Sequence, residues 1–200
     1  MKNILNLFVA TLLFAAGLTA QTVWKTDKAH SSVNFSVSHM VISEVLGNFK
    51  DFDATLTTSK DDFSDATIEA TIIMASINTG NEARDKHLRS DDFFNAEKYP
   101  TMTFKSTKIE KVGDDTYKIT GDLTLRDVTK SVVLDTKFLG QTKTPWGFTA
   151  AGFKATTTID RLEYGVKWSK ALETGGLVVG KNVNITLLFE LDKKEPASKK

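Results

Sequence analysis

Residues 27–52 read DKAHSSVNFSVSHMVISEVLGNFKDF. Val33, Phe35, Val37 and His39 alternate there with Asn34, Ser36 and Ser38. A period of two predicts a strand with one apolar and one polar face. His39 continues the apolar row beside Phe35 and Val37. A polar ring at the end of such a row suits a lined cavity as well as a packed core. Gly47 follows, and then a second alternating run carries Phe52, Ala54 and Leu56.

The same alternation recurs along most of the chain. Residues 66–76 place Ala66, Ile68, Ala70, Ile72 and Met74 on one face. Residues 101–110 align Met102, Phe104 and Ser106. Gly113-Asp114-Asp115 is a turn that leads into 116–125, with Tyr117, Ile119, Gly121, Leu123 and Leu125 together. Asp127 begins the next turn, before Val132, Leu134, Thr136 and Phe138 in 131–139. Thr144-Pro145-Trp146-Gly147 is a further turn. A weakly apolar strand over 148–159 and a final strand over 183–191 (Val183, Ile185, Leu187, Phe189, Leu191) complete eight. Short turns imply antiparallel pairing, because parallel crossovers need a dozen or more residues. Closing into a barrel removes the exposed edges. Eight strands enclose an interior just wide enough for side chains or one small ligand. A two-sheet sandwich would bury the same faces and leave no tunnel, and alternation does not separate the two.

Two long connections interrupt the strands. Residues 78–100 read NTGNEARDKHLRSDDFFNAEKYP. Asn81 is placed to cap a short helix running to Leu88, and Ser90 to cap a second turn through Asp91, Asp92, Phe93 and Phe94. Residues 160–181 read DRLEYGVKWSKALETGGLVVGK, with Tyr164, Trp168 and a Gly175-Gly176 break. Connections this long in a compact domain are often functional, and each suits a lid that plugs a barrel end or gates a ligand. On a helix, Arg84 and His87 share a face with Leu88. Such a guanidinium pairs with a phosphate or a polar head group. The competing reading is an internal ion-pair network, with Asp85 neutralising Arg84 or orienting a histidine. Phe93, Phe94, Tyr99, Tyr164 and Trp168 suit clamps of the insertions against the strands, and Trp24 suits packing beneath the first strand.

Several chemistries lack their residues. No cysteine is present, which removes disulfides, thiolate nucleophiles, Cys-ligated zinc and a lipobox anchor together. Of the three histidines, His30 and His39 are nine apart, about 30 Å along an extended strand. That spacing does not make a three-His zinc site. There is no HExxH, P-loop, dinucleotide fingerprint or Gly-x-Ser-x-Gly elbow. The pairs Asp61-Asp62, Asp91-Asp92 and Asp114-Asp115 are sequence neighbours that turns and caps explain. No catalytic residue, metal or cofactor is therefore assigned.

Residues 1–20 carry Lys2 ahead of an apolar run of about fifteen residues and a Leu18-Thr19-Ala20 cleavage site. The run is shorter than the ~20 residues that span a bilayer. The expectation is a signal peptide, a mature domain over 21–191 without a stable membrane anchor, export to the periplasm, and a polar flexible tail over 192–200. Without Lys2, basic and acidic residues balance at 25 each (26 − 1 against 25). Such a chain has no gross attraction for nucleic acid.

The run Asp27-x-x-His30-Ser31-x-Val33-x-Phe35-x-Val37-x-His39-Met40, then Gly47-x-Phe49-x-x-Phe52, resembles the start of a YceI-like domain, a family of lipid- or polyisoprenoid-binding periplasmic proteins. Ala75-Ser76-Ile77-Asn78-Thr79 followed by Arg84-Asp85-x-His87-Leu88-Arg89-Ser90-x-Asp92-Phe93-Phe94 resembles its central motif. Tyr99-Pro100-x-Met102-x-Phe104-x-Ser106, Gly121-Asp122-Leu123-Thr124-Leu125-Arg126-x-Val128-Thr129-Lys130, Arg161-x-x-Tyr164-Gly165 and Val183-x-Ile185 continue it. Asn78 departs from the pattern, where an acidic residue is frequent. The resemblance implies an all-β, eight-stranded antiparallel, lipocalin-like barrel with short helical insertions and a long apolar tunnel. It implies a long-chain lipid partner such as an isoprenoid quinone, a polyprenyl phosphate or a fatty amide, and it allows a homodimer. The candidate ligand contacts are then Phe35, Val37, His39, Phe52, Ala54, Ile68, Ala70, Ile72, Met74, Phe104, Leu123, Leu134, Ile185 and Leu187. Arg84, His87 and Trp168 join them from the insertions. Ala54, Ala66, Ala70, Ala150 and Gly152 are the small residues expected to leave space.

Overall fold

The computed structural model describes residues 21–173 and 175–194. The expected signal peptide and residues 195–200 of the expected tail lie outside them. The strands are β1 (Thr22–Thr26), β2 (Ser32–His39), β3 (Ser43–Phe49), β4 (Phe52–Thr58), β5 (Thr67–Ile73), β6 (Ile77–Asn78), β7 (Thr101–Lys111), β8 (Thr116–Leu125), β9 (Val128–Lys143), β10 (Thr149–Asp160) and β11 (Val179–Lys194). One helix, α1 (Glu82–Arg89), precedes β7. Every pairing is antiparallel, and β1 pairs with both β4 and β11, which closes the sheet into a barrel.

Eleven strands make eight staves because three staves are broken. β11 pairs β1 through Leu191–Lys194 and β2 through Val179–Leu188, so β1 and β2 lie end to end. β3 and β4 form the second stave, and β5 and β6 the third. The break in the second has a visible cause. Phe49 and Phe52 are both buried, three residues apart, so the inward phase jumps at Lys50-Asp51. A 3-10 turn over Met74–Ser76 breaks the third.

The alternation reads the eight staves but not all their pieces. β1 was not expected as a strand. Trp24 does not lie beneath the first strand; it is part of β1, buried against Phe63 with ring centroids 5.4 Å apart. β3 was also not expected, because Gly47 leaves a gap in its inward row of Val45, Gly47 and Phe49. Phe35 fills that gap from the opposite strand; a Cβ on Gly47 would meet its ring at 2.3 Å. β11 continues through Lys194, so residues 192–194, expected in the tail, extend the barrel. Of the small residues expected inside on β10, Ala150 is buried but borders neither cavity, and Gly152 faces outward. Leu139 is extra on β9 where Gly152 faces Gly140 and Phe153 faces Phe138. Gly152 therefore looks out towards exposed Leu139, and Ala151, 1% exposed, looks in.

The turns set the two ends. β2–β3, the two insertions and the β8–β9 turn lie at one end, called upper here. The 59–66 loop, the β7–β8 turn and the β9–β10 turn lie at the lower end. The lower end is closed by Phe63, 3% exposed, whose ring meets Phe138 at 5.3 Å and Phe153 at 5.2 Å. Asp65 ties down the loop that carries it. Its carboxylate accepts from Thr58 Oγ1 (2.5 Å), from the Ser59 hydroxyl, and from the Ser59 and Lys60 amides (3.2 Å each). These donors, Ser59 and Thr58 first, hold its pKa at about 2, below the ordinary 3.8.

Two outcomes follow. A depressed carboxylate pKa gives stability that is present above the unfolded value and lost as pH falls through the folded one. The stability difference between the protein and an Asp65→Asn variant, measured by urea unfolding, should thus shrink between pH 3.8 and about 2 and be constant above. Separately, a Cβ on Gly121 would meet Phe104 at 2.3 Å and the unyielding Lys105 carbonyl oxygen at 2.6 Å. Gly121→Val should cost at least about 2 kcal/mol, seen as a lower urea midpoint at unchanged slope.

Candidate functional site

The barrel interior holds two cavities, stacked along its axis. The lower one, about 90 Å³, is bounded by Ala54, Leu56, Phe63, Ala66, Ile68, Ala70, Ile109, Tyr117, Ile119, Leu134, Thr136, Phe153, Ala155, Phe189 and Leu191, with Thr55 at its side. Four alanines on three strands or their flanks leave this space. The upper one, also about 90 Å³, is bounded by Val33, Phe35, Val37, Phe49, Leu88, Phe93, Phe94, Met102, Leu125, Ile159, Val166, Val179, Val183 and Ile185, with Asn34 and Arg161.

Strand register shows what divides them. On β8, Ile119 is below, Leu125 above and Leu123 between. On β11, Phe189 is below, Ile185 above and Leu187 between. Phe52 and Ile72 stand one inward position above Ala54 and Ala70, and Phe104 lies between Met102 and Ile109. Phe52, Ile72, Phe104, Leu123 and Leu187 therefore make a packed layer across the tunnel, and Phe52 meets Phe189 edge-on at 5.6 Å. Met74, 1% exposed, is buried where the third stave breaks. These six candidate contacts are core residues, not cavity wall.

Arg161 is 3% exposed, yet it presents no polar surface to the upper cavity. Its guanidinium donates to the carbonyls of Gly180 (Nε, 2.8 Å), Val166 (Nη1, 2.6 Å) and Val179 (Nη2, 3.0 Å). Burial pulls its pKa below the ordinary arginine value, but an arginine stays charged. Its role is to staple the second insertion to the barrel, with only its stem facing the cavity. Tyr117, the other titratable group on these walls, donates its hydroxyl to the Asp62 carbonyl at 2.7 Å.

The upper end opens in a mostly apolar mouth with a few polar side chains, whereas the lower end carries a separate polar pocket outside Phe63, lined by Thr58, Ser59, Lys60, Asp61, Gln141, Thr149 and Lys193. A mouth of about 180 Å³ is lined by Phe35, Val37, Ser38, His39, Val45, Arg84, His87, Leu88, Phe93, Trp168, Val178 and Val179. Both insertions reach it. Asn81 caps α1 by accepting from the Arg84 amide at 2.9 Å, which turns Arg84, His87 and Leu88 towards the mouth. His87, Phe93 and Trp168 pack their rings together at 5.0–5.3 Å, joining the two insertions. Arg126 ties them again, donating to the carbonyls of Phe93 and Gly165 at 2.8 Å each.

Three expectations in this region are corrected. Asp85 neither neutralises Arg84 nor orients a histidine; it is buried and accepts from the Thr79 amide (2.9 Å) and hydroxyl (2.5 Å). Arg84 donates to Thr79 Oγ1 and its carbonyl, and His87 pairs with Asp92 at 2.7 Å. Ser90 does not cap the following turn; its hydroxyl donates back to the His87 carbonyl at 2.7 Å. The histidines also group differently from their sequence spacing. His39 and His87 share the mouth, whereas His30 sits outside with Asp27 and Glu190, its ring 2.8 Å from the Asp27 carboxylate.

Of the expected contacts, Phe35, Val37, Ala54, Ile68, Ala70, Leu134 and Ile185 line the cavities, and His39, Arg84, His87 and Trp168 line the mouth. The walls also use residues passed over from sequence. Phe93, Phe94 and Leu88 come from the first insertion, and an amphipathic helix face was the signal for Leu88. Phe63 comes from a loop, for which no periodic signal exists.

A closed, eight-stave antiparallel barrel with an apolar interior and a mouth at its upper end is a barrel of the lipocalin-like type. The chain belongs to the YceI-like family: residues 24–191 match the model of the YceI-like domain. Protein YceI of Escherichia coli O17:K52:H18 is 44% identical over 168 residues, covering 83% of this chain and 87% of that protein. The crystal structure of Campylobacter jejuni YceI matches at TM-score 0.68 and 37% identity, covering 84% of this chain and 96% of that one. A polyisoprenoid binding domain from Saccharophagus degradans shares the fold at TM-score 0.64 and 17% identity, covering 86% of this chain and 98% of that one.

A void bounded by alanines should accept a larger residue. Ala70→Leu is expected to raise unfolding stability by about 1 kcal/mol through cavity filling; a loss of stability in chemical unfolding would show that the neighbours already fill this space.

Proposed function

We propose that this protein carries or stores a polyisoprenoid or other long-chain lipid, with the tail along the barrel axis and the head at the mouth. The observation that supports it most is the alignment of two apolar cavities beneath one mouth bearing His39, Arg84 and His87. The polyisoprenoid binding domain that shares the fold points the same way. The apolar run and cleavage residues of 1–20 support export to the periplasm.

The magnitudes agree with tail binding. A stave of ten residues spans about 33 Å, comparable to an extended prenyl tail. A dozen buried CH₂ groups contribute roughly 10 kcal/mol gross, and ordering the tail offsets much of it. Micromolar affinity is then reachable without a charged contact. The two voids are smaller than the ~300–1,000 Å³ of ordinary ligand pockets. Occupancy therefore requires the dividing layer to part, with Phe104 and Phe52 turning aside. Neither inner cavity holds a free acid–base pair, since Tyr117 and Arg161 have their polar ends engaged. This supports binding over turnover.

Native mass spectrometry on gently purified protein should show a lipid adduct, or uptake of an added isoprenoid quinone, polyprenyl phosphate or fatty amide, with the lipid released chemically unchanged. Ala70→Trp should abolish the adduct while the barrel stays folded by circular dichroism. A protein that takes up none of the three classes overturns the proposal.

A further inference from the structure

We propose that the tip of the β2–β3 hairpin, Met40-Val41-Ile42, docks the mouth of the barrel onto a lipid bilayer. The inference deepens the carrier reading, since the mouth is where a tail would enter.

The tip breaks the usual turn chemistry. His39 pairs with Ser43 across a three-residue loop, within which the Ile42 amide donates to the His39 carbonyl at 3.2 Å around Met40 and Val41. Met40 and Val41 take φ of +49° and +65°. Two positive φ values mark the type I′ class, for which Asn-Gly is the favoured sequence. A β-branched valine there is strained, and strain of this kind is kept where it serves function. The tip is also apolar where turns are polar. Val41 is 66% exposed and Ile42 83%, and Leu46, further along β3 on its outer face opposite Ser36, is 68% exposed.

Position links the tip to the cavity. His39 and Val45, on the two strands of this hairpin, line the mouth. The Met40 amide donates to the Val178 carbonyl at 2.8 Å, which fixes the hairpin against the second insertion. Gly176 makes room for it; a Cβ there would come within 2.9 Å of Val41 Cγ2.

Size and charge favour a bilayer over a protein. At roughly 100 Å² per aliphatic side chain, Met40, Val41, Ile42 and Leu46 cover about 400 Å². A stable protein interface needs about 800 Å² per partner and a complementary surface. A fluid apolar phase needs neither. Exposed Lys167 and Lys170 on the neighbouring insertion are matched by exposed Glu44 and Glu173, which leaves Arg84 of the mouth, held on Thr79, as the one further cation among these groups. Insertion of the apolar tip is then the driving force, and salt should change it little.

The test uses the mature full-length chain and vesicles of phosphatidylethanolamine and phosphatidylglycerol. The variant Met40→Asn/Val41→Gly/Ile42→Thr gives the turn its favoured residues, so it should unfold no lower than the parent. Its vesicle partitioning in flotation should fall at least about tenfold. Lipid uptake from vesicles should fall with it, while uptake from detergent micelles is unchanged. Trp146→Ser, at the exposed turn of the lower end, should bind vesicles as the parent does. If the triple variant is destabilised, Ile42→Asp carries the same test at a highly exposed position. The proposal is overturned if the parent ignores vesicles, if the tip variants still bind, if binding follows Trp146, or if the tip variants instead dissolve a dimer in sedimentation. Tip-dependent vesicle binding without lipid uptake would leave the docking surface standing and remove the carrier reading. Uptake from micelles without tip-dependent vesicle binding would do the reverse.

Discussion

An eight-stranded barrel encloses little more than the volume its own side chains fill. Any space inside must be left by small residues, and each small residue withdraws burial from the core that holds the barrel shut. Here the conflict is resolved by position. Ala54, Ala66, Ala70 and Ala155 are gathered around the lower cavity, while Phe52, Ile72, Phe104, Leu123 and Leu187 pack the layer above it. Phe63 seals the base from a loop instead of a strand. The interior is thereby a series of void, packed layer and void, and the layer carries the cohesion that the voids lack.

Closure imposes a second condition, because staves must curve. The chain meets it by breaking three staves, at residues 27–31, at Lys50-Asp51 and at Met74–Ser76, all near the same height. Above these breaks the upper cavity is walled by β2 and β3 together with Leu88, Phe93, Phe94 and Val166 of the two insertions. The covering is held by Arg126 and Arg161, each of which spends its guanidinium on backbone carbonyls of the insertions. Buried polar groups need partners, and carbonyls in irregular loops supply them without a second charge. Arg84, held on Thr79, and His87, paired with Asp92, line the mouth together with His39.

The staves were legible because a half-buried strand must alternate, and the runs from Ile68 to Met74, Tyr117 to Leu125 and Val183 to Leu191 keep enough of that alternation despite Ile73, Gly121 and Leu188. Legibility failed where a partner strand substitutes for the residue itself. Gly47 contributes nothing to its own row because Phe35 occupies its place across the ladder. It failed again at Gly152, because β10 is too weakly apolar to show that Ala151, Phe153 and Ala155 are its inward set. The candidate contacts were identified by face, and face does not report height. Ala70 and Ile72 have the same inward phase, yet one borders a void and the other fills the layer above. Only the stacking of all eight staves decides which. The pairing of His39 with His87 at the mouth is likewise a consequence of where α1 lands, and sequence spacing carries no trace of it.

The placement of hydrophobic groups at the upper end completes this logic. A carrier whose interior is sealed by its own side chains gains nothing from a mouth that opens into water, since a long tail has negligible solubility there. The transfer must be made across a short apolar path. The hairpin that walls the mouth continues one turn beyond it and ends in Met40, Val41 and Ile42, where an Asn-Gly turn would fold with less strain. The cost of that turn falls on the one element that connects the cavity wall to whatever lies outside. Strain at Met40 and Val41 and high exposure at Val41 and Ile42 meet beside the mouth, whereas Trp146, comparably exposed, sits in a Pro-Trp-Gly turn at the sealed end and stacks on Phe148. The asymmetry between the two ends gives the barrel a direction.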